Sequence, residues 1–319
     1  MNASQPTSHR TIKRLLLASV YLVGAPSFVH ADSSTPLLAS YYDRHLAVCA
    51  GAAHEWTGHG TPQRVMNDVI QVGVGSDTSY ALQTDGRLLA WDSDVRQAQL
   101  LLEGVRQFAA GSSGVLAIKS DGSLWRIERS GGQLQGRHRV DVAPTAKGVR
   151  AASVGDGTNY YVTTGGDLFA RGNANRGQYG DGRLESSAEY RKVATHVFDI
   201  RSHTGHAILR TTSGEVQGTG GNIYGPVGSI GLGDKAVHWG KILDGASGVA
   251  TGASHSLAIR ADNSLWIWGR NESPEPRRVL DDVIGAAAGS NSSIALTQDG
   301  SLWQWRTGKP PVRVFSCRP

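Results

Sequence analysis

Residues 249–268 read VATGASHSLAIRADNSLWIW, and residues 286–305 read AAAGSNSSIALTQDGSLWQW. Both run in one order: an apolar start, small residues with a glycine, an apolar run, a tight turn, then Leu and aromatics. Three further copies lie at 72–91, 108–125 and 152–169, with a degraded one at 200–216 and a weaker seventh at 45–56. Self-similarity at a fixed period is the mark of a repeat architecture.

Each of the six clearer copies has a turn pair: Asp85-Gly86, Asp121-Gly122, Gly165-Gly166, Ser213-Gly214, Asp262-Asn263 and Asp299-Gly300. Most suit the positive φ of a two-residue hairpin turn. Counting from the second turn residue, Leu88, Leu124, Leu168, Val216, Leu265 and Leu302 stand at +2. Trp125, Phe169, Trp266 and Trp303 stand at +3, and Trp91, Trp268 and Trp305 at +5. Alternate strand residues point to opposite faces, so both faces are apolar and each strand needs cover on both sides. On the incoming strand, Leu82, Ile118, Val162, Ile259 and Leu296 stand at −4, and Arg210 takes that place in the degraded copy.

The turns are 36, 44, 48, 49 and 37 residues apart. Four short strands fit that length, which is the spacing of propeller blades; a leucine-rich solenoid repeats at a shorter period. The predicted fold is all-β, a seven-bladed β-propeller whose ring closes between first and last blades. The 41 glycines in 319 residues agree, because helices tolerate glycine poorly. Hydrophobic content of 39% with 8 Trp suffices for a core.

Val249–Ile259 resembles the signature of the regulator of chromosome condensation repeat, with Gly252 and His255 at its glycine and histidine. His206 takes the histidine place in a copy lacking the glycine; Thr78, Gly114, Thr158 and Ser292 stand there elsewhere. A second motif of that family resembles Arg171–Gly180, RGNANRGQYG. The resemblance covers about residues 40–310 and implies a seven-bladed propeller. It does not transfer nucleotide exchange on a GTPase, because no exchange-factor residue can be matched. It also implies a distant likeness to a secreted propeller-type inhibitor of β-lactamase.

The N-terminus reads as an address. Arg10, Lys13 and Arg14 precede an apolar run over 15–23, then Gly24 and Pro26, then Val29-His30-Ala31. This order predicts a secretory signal peptide, 1–31, with 32–319 as a single propeller domain; an uncleaved anchor or a buried helix is the alternative. The run is too short to span a bilayer. The expected localisation is exported, periplasmic or secreted. Removing 1–31 takes the net charge from +5 to +5 − 3 = +2, which weakens any case for nucleic acid. Cys49 and Cys317, near opposite ends of the mature chain, either pair in an oxidising compartment or stay as two buried thiols. Ring closure would bring them together.

Catalytic motifs are missing: there is no G-x-S-x-G elbow and no phosphate loop. His54-Glu55 with His59 is one residue too long for a zinc helix, and His203 with His206 falls in a strand pattern, so no metal and no cofactor is expected. His255 is expected to be structural, donating to a neighbouring backbone carbonyl. Two longer inter-blade regions, 171–196 and 217–245, hold the candidate protein-binding residues Arg176, Tyr179, Arg183, Tyr190, Arg191, Tyr224, His238 and Trp239. The expected function is an exported, non-enzymatic, monomeric scaffold that binds another protein as an inhibitor or adaptor. The alternatives are an envelope- or carbohydrate-binding propeller and a lyase or hydrolase with a channel-mouth site. Intact-mass analysis of the exported protein should find Asp32 as its first residue; a chain still beginning at Met1 would contradict export by cleavage.

Overall fold

The computed structural model describes residues 37–92, 95–130, 133–139, 148–229 and 233–318. The expected signal peptide, 1–31, lies outside the described residues. Seven four-stranded antiparallel sheets form the propeller, each with its strands in chain order. The blades span 38–66, 69–102, 105–139, 149–194, 197–243, 246–280 and 283–316. In blade 6 the strands are Ala246–Thr251, His255–Arg260, Leu265–Gly269 and Arg277–Leu280. First strands of successive blades contact one another, which places them innermost, around the axis. One short 3-10 helix, Val95–Gln97, is the helical content of the described residues, and no helix among them is long and apolar enough to cross a membrane.

Up-and-down strands sort the connections onto two faces. Hairpins joining second to third strands share one face with the connections between blades; this is the hairpin face. Turns joining first to second strands and loops joining third to fourth strands share the other, the loop face.

The hairpins differ from the expectation in one detail. In blades 2 to 7 they are three-residue loops with the left-handed residue last, for example Thr84-Asp85-Gly86, closed by Gln83 N donating to Arg87 O at 2.9 Å. Only the second residue of each pair has positive φ: 84° at Gly86, 82° at Gly300 and 61° at Asn263. The aspartate is used differently. Its Oδ1 accepts the N–H two residues on, as in Asp121–Ser123 at 2.8 Å and Asp299–Ser301 at 2.9 Å. The network extends outward, because Ser123 Oγ donates to Asp121 and accepts Trp125 Nε1, and Ser264 repeats this with Asp262 and Trp266. The Asp-x-Ser-x-Trp order is therefore one hydrogen-bonded unit.

The two-faced reading of the third strand holds. The +2 residues are fully buried, and Trp91, Trp268 and Trp305 at +5 are nearly so. Leu88 packs in the core between blades 2 and 3, while Trp91 packs between blades 1 and 2. The signature glycine lies where blades approach most closely. A Cβ on Gly252 would stand 2.4 Å from Gly289 O of the next blade.

Each blade is built from one continuous segment, so no strand is exchanged to close the ring. Closure falls to side chains between blades 7 and 1. Gln304, 3% exposed, accepts Trp56 Nε1 at 2.9 Å and donates to Gly58 O at 2.7 Å. Leu38, Ala47 and Trp56 pack with Ile294, Leu296 and Leu302. Elsewhere the hairpin glycine's carbonyl accepts the first N–H of the next blade, as Gly86 O does from Val105. At the end of the chain Gly300 O accepts Cys317 N at 2.7 Å, so Cys317 stands where an eighth blade would start. It is disulfide-bonded to Cys49 of blade 1, with Cα atoms 4.9 Å apart and a sequence separation of 268 residues.

Closing so long a loop in the unfolded chain is worth about 5 kcal/mol by loop entropy. Replacing both cysteines by Ser should therefore lower Tm by roughly 10 °C or more, measured by calorimetry beside the reduced wild type. An unchanged Tm would show that the bond does not hold the ring.

Candidate functional site

The two long regions are loops within blades 4 and 5 together with their outer strands, a correction to their reading as inter-blade segments. Third strands end at Gly172 and Gly221, and fourth strands begin at Ser187 and Lys235. The blade 4 loop is tied to blade 5. Thr219 Oγ1 donates to Gly177 O at 2.8 Å, Gly182 N to Val237 O at 2.9 Å, and Asp181 bridges His238. The blade 5 loop is tied to blade 6, where Pro226 O accepts Ser256 Oγ and Trp268 Nε1, both at 2.8 Å. Arg270 then lies over the Tyr224 ring, 4.8 Å from its centroid. The result is a continuous ridge on the loop face over blades 4 to 6.

The ridge divides the expected binding residues. Arg176, Arg183, Tyr224 and His238 are exposed. Tyr179 is a correction: it is fully buried in the core between blades 4 and 5, its hydroxyl donating to Gly172 O, because an aromatic at this place fills the base of the loop. Tyr190, Arg191 and Trp239 are half-buried. Tyr190 packs edge-on against Tyr161, 4.8 Å away, and Trp239 against the same core as Tyr179. Leu184, Ile223 and Arg270 belong to the ridge and were missed; Leu184 and Ile223 are 43% and 66% exposed. Apolar side chains inside long polar loops were the available signal.

A second cluster crosses the axis on the same face. Asp156, in the inner turn of blade 4, accepts from Ser112 of blade 3, from Thr204 Oγ1 of blade 5 at 2.8 Å, and from Tyr41 OH of blade 1 at 3.3 Å. His203 stacks on Tyr41 with centroids 5.0 Å apart, and its Nδ1 accepts Thr204 N at 2.9 Å. The sequence holds the reason: blade 5 has His203 where the signature has glycine, so a side chain reaches the axis there. Burial opposes charge on Asp156, but the Ser112 and Thr204 hydrogen bonds outweigh it and hold the carboxyl below its ordinary value. Burial, then Asp156, raises the Tyr41 hydroxyl.

The motif histidines form rungs between blades. His206 Nε2 meets Ser256 Oγ at 3.2 Å, and His255 Nε2 meets Ser293 Oγ at 2.8 Å. This corrects the expected His255 bond to a backbone carbonyl: the hydroxyl next to the motif position of the following blade stands closer. Arg44 repeats the rung toward Ser79 at 3.4 Å. Glu55, beside His54, accepts Ser79 Oγ and Trp91 Nε1, which commits it to packing between blades. No group of metal-binding side chains occurs among the described residues.

Residues 247–273 match the regulator of chromosome condensation (RCC1) repeat. The fold is a seven-bladed β-propeller, and its sixth blade carries the match to that repeat. The chain is 26% identical over 243 residues to the ultraviolet-B receptor UVR8 of Arabidopsis thaliana, covering 63% of this chain and 53% of the receptor, so it spans about half the length of that relative. Among solved structures it resembles yeast RCC1, Prp20, bound by Kap60, with TM-score 0.72 and 16% identity over 98% of this chain and 91% of that one. Prp20p of Saccharomyces cerevisiae, studied with Gsp1p and histones, superposes with TM-score 0.68 and 18% identity over 80% of each chain.

Burial lowers His206 and His255 to about 3 and His45 and His203 to about 4, and it lowers His54 as well. The folded state refuses protons that the unfolded chain takes up near 6.5. Stability is therefore complete above about pH 6.5 and falls as pH drops toward the folded values, by up to about 1.4 kcal/mol per pH unit for each histidine. Melting curves between pH 7 and 4.5 should show this slope, and His255→Gln should reduce it by roughly a fifth to a quarter. A flat profile would contradict buried neutral histidines.

Proposed function

We propose that this chain is an exported, non-enzymatic propeller that binds another protein through the ridge on its loop face, as an inhibitor or adaptor. The observation that carries this reading is the exposure of Leu184, Ile223 and Tyr224 beside Arg183 and Arg270, on loops already tied to neighbouring blades. Aromatic and arginine anchors on a preformed surface bind with little ordering cost. Gsp1p, histones and Kap60, with which the yeast relative is described, are proteins, which supports protein binding as a use of the fold. The predicted signal peptide supports export.

One observation favours a second reading. Asp156, His203 and Tyr41 converge at a channel mouth, as an enzyme of the lyase or hydrolase class would require. Against it, the Asp156 carboxylate is engaged by three hydroxyl donors.

Crosslinking and affinity capture from the exported fraction tests the ridge. Tyr224→Ala with Ile223→Ala should weaken capture of a protein partner by about 30-fold or more, a hot-spot loss of about 2 kcal/mol. Leu100→Ser, on an outer strand of blade 2, should leave it unchanged. Capture of glycans alone, or protein capture insensitive to the ridge variants, would overturn the proposal.

A further inference from the structure

Three blades carry tryptophan at the +3 position, Trp125 in blade 3, Trp266 in blade 6 and Trp303 in blade 7, and all three rings are half-buried. In blades 3 and 6 the chain covers its own ring with a cation. The second strand leads there into Lys119 and Arg260, and the Lys119 Nζ and the Arg260 guanidinium carbon each lie 5.3 Å from the ring centroid. The same side chains rest on a glycine in the connection from the preceding blade. A Cβ on Gly104 would stand 3.3 Å from Lys119 Cε, and one on Gly245 would stand 3.6 Å from Arg260 Nη2. Each cation thus fills the space between a tryptophan and a bare stretch of backbone.

Blade 7 keeps the tryptophan and changes both neighbours. Hydrogen bonds fix the equivalence: Ser120 N donates to Gly104 O at 3.0 Å, Ala261 N to Gly245 O at 2.8 Å, and Gln298 N to Asp282 O at 2.8 Å. Thr297 therefore takes the place of Lys119 and Arg260, and Asp282 that of the two glycines. Gly104, Gly245 and Asp282 share a positive φ, of 68°, 71° and 56°. Thr297 is too short to cover the ring, and its hydroxyl is already engaged, accepting Trp303 Nε1 at 3.2 Å and donating to Asp299 Oδ1 at 2.6 Å. A cleft of about 630 Å³ lies here, lined by Trp303, Thr297, Asp282, Leu280 and Arg318 among others. That size suits a small ligand. No cation lies over Trp303 among the described residues.

The other charged groups at the cleft have partners. Arg278 Nε donates to Asp281 Oδ1 at 2.6 Å, and Arg318 Nη2 donates to Gln298 O at 2.7 Å. Asp299 accepts from Thr297 and Ser301, with Arg313 nearby. The exposed Asp282 carboxylate makes no ion pair and no side-chain hydrogen bond among the described residues. An aromatic face attracts an ammonium or guanidinium group, and a carboxylate beside it adds to the attraction.

We propose that the cleft between blades 6 and 7 binds an organic cation, an ammonium or guanidinium on an alkyl stem, lying over Trp303 beside Asp282. Lys119 and Arg260 show the pose in the sister blades. The lining comes from the blade 7 hairpin and the connection from blade 6, so the site belongs to the hairpin face, opposite the ridge. It is independent of the protein-binding reading.

Nuclear magnetic resonance titration of the full chain, read at the Trp303 indole N–H, tests this; Trp303→Phe identifies the signal by removing it. The probes are n-butylammonium and the capped tripeptides Gly-Lys-Gly and Gly-Arg-Gly, with uncharged 1-butanol as control. Saturable shifts with the cations are expected, and none with 1-butanol. Tighter binding of a tripeptide assigns the cation to a polypeptide side chain, and equal or tighter binding of n-butylammonium to a small amine. Thr297→Lys, which supplies the cation in cis as blade 3 does, should abolish binding. Asp282→Asn should weaken it about threefold or more, and it keeps the test valid if Thr297→Lys fails to fold, because asparagine tolerates positive φ. No saturable shift with any cation, an equal response to 1-butanol, or binding unaltered in Asp282→Asn would overturn the proposal.

Discussion

The structure depends on one requirement, that a blade apolar on both faces must be covered on both sides. Leu88 and Trp91 illustrate it within one strand, the first packing toward blade 3 and the second toward blade 1. A row of such sheets always leaves two uncovered ends unless it closes. The last contact, between blades 7 and 1, is thus the only one without chain continuity. Gln304, Trp56 and the Cys49–Cys317 bond all lie at it. Polar groups with fixed partners add direction where apolar packing alone would tolerate slippage.

The same rigidity shapes the functional surfaces. Loops that lengthen in blades 4 and 5 do not float free, because their backbones are bonded to the following blade. Departures from the repeat gather in these blades too. His203 replaces the signature glycine and reaches the axis, and Arg210 replaces an apolar core residue and brings charge inside. The other blades keep closer to the pattern; blades 4 and 5 supply most of the ridge and, in Asp156 and His203, the centre of the axial cluster.

Much of this was legible in the sequence. Period-two apolar positions and turn spacings reveal blades, because each blade repeats the same burial problem. The approximate position of the long loops was legible as well, since length is directly countable. What escaped was exposure within those loops. Tyr179 and Tyr224 are the same residue type in similar segments, yet one fills a core and the other meets solvent. That difference comes from how each loop folds on its neighbour, which spacing does not encode. The axial cluster escaped for a related reason: Tyr41 and Asp156 are 115 residues apart and meet only once the ring is closed. The hairpin type was read incompletely, because the aspartate acts through its side chain and not through its own φ.

If closure at the seam governs the ring, the effect of the disulfide must be local. Hydrogen exchange of the native protein, compared before and after reduction, measures this directly. Reduction should raise amide exchange chiefly in blades 1 and 7, around Cys49, Trp56 and Gln304, with blades 3 to 5 little changed. A uniform rise across all blades, or no rise at the seam, would contradict it.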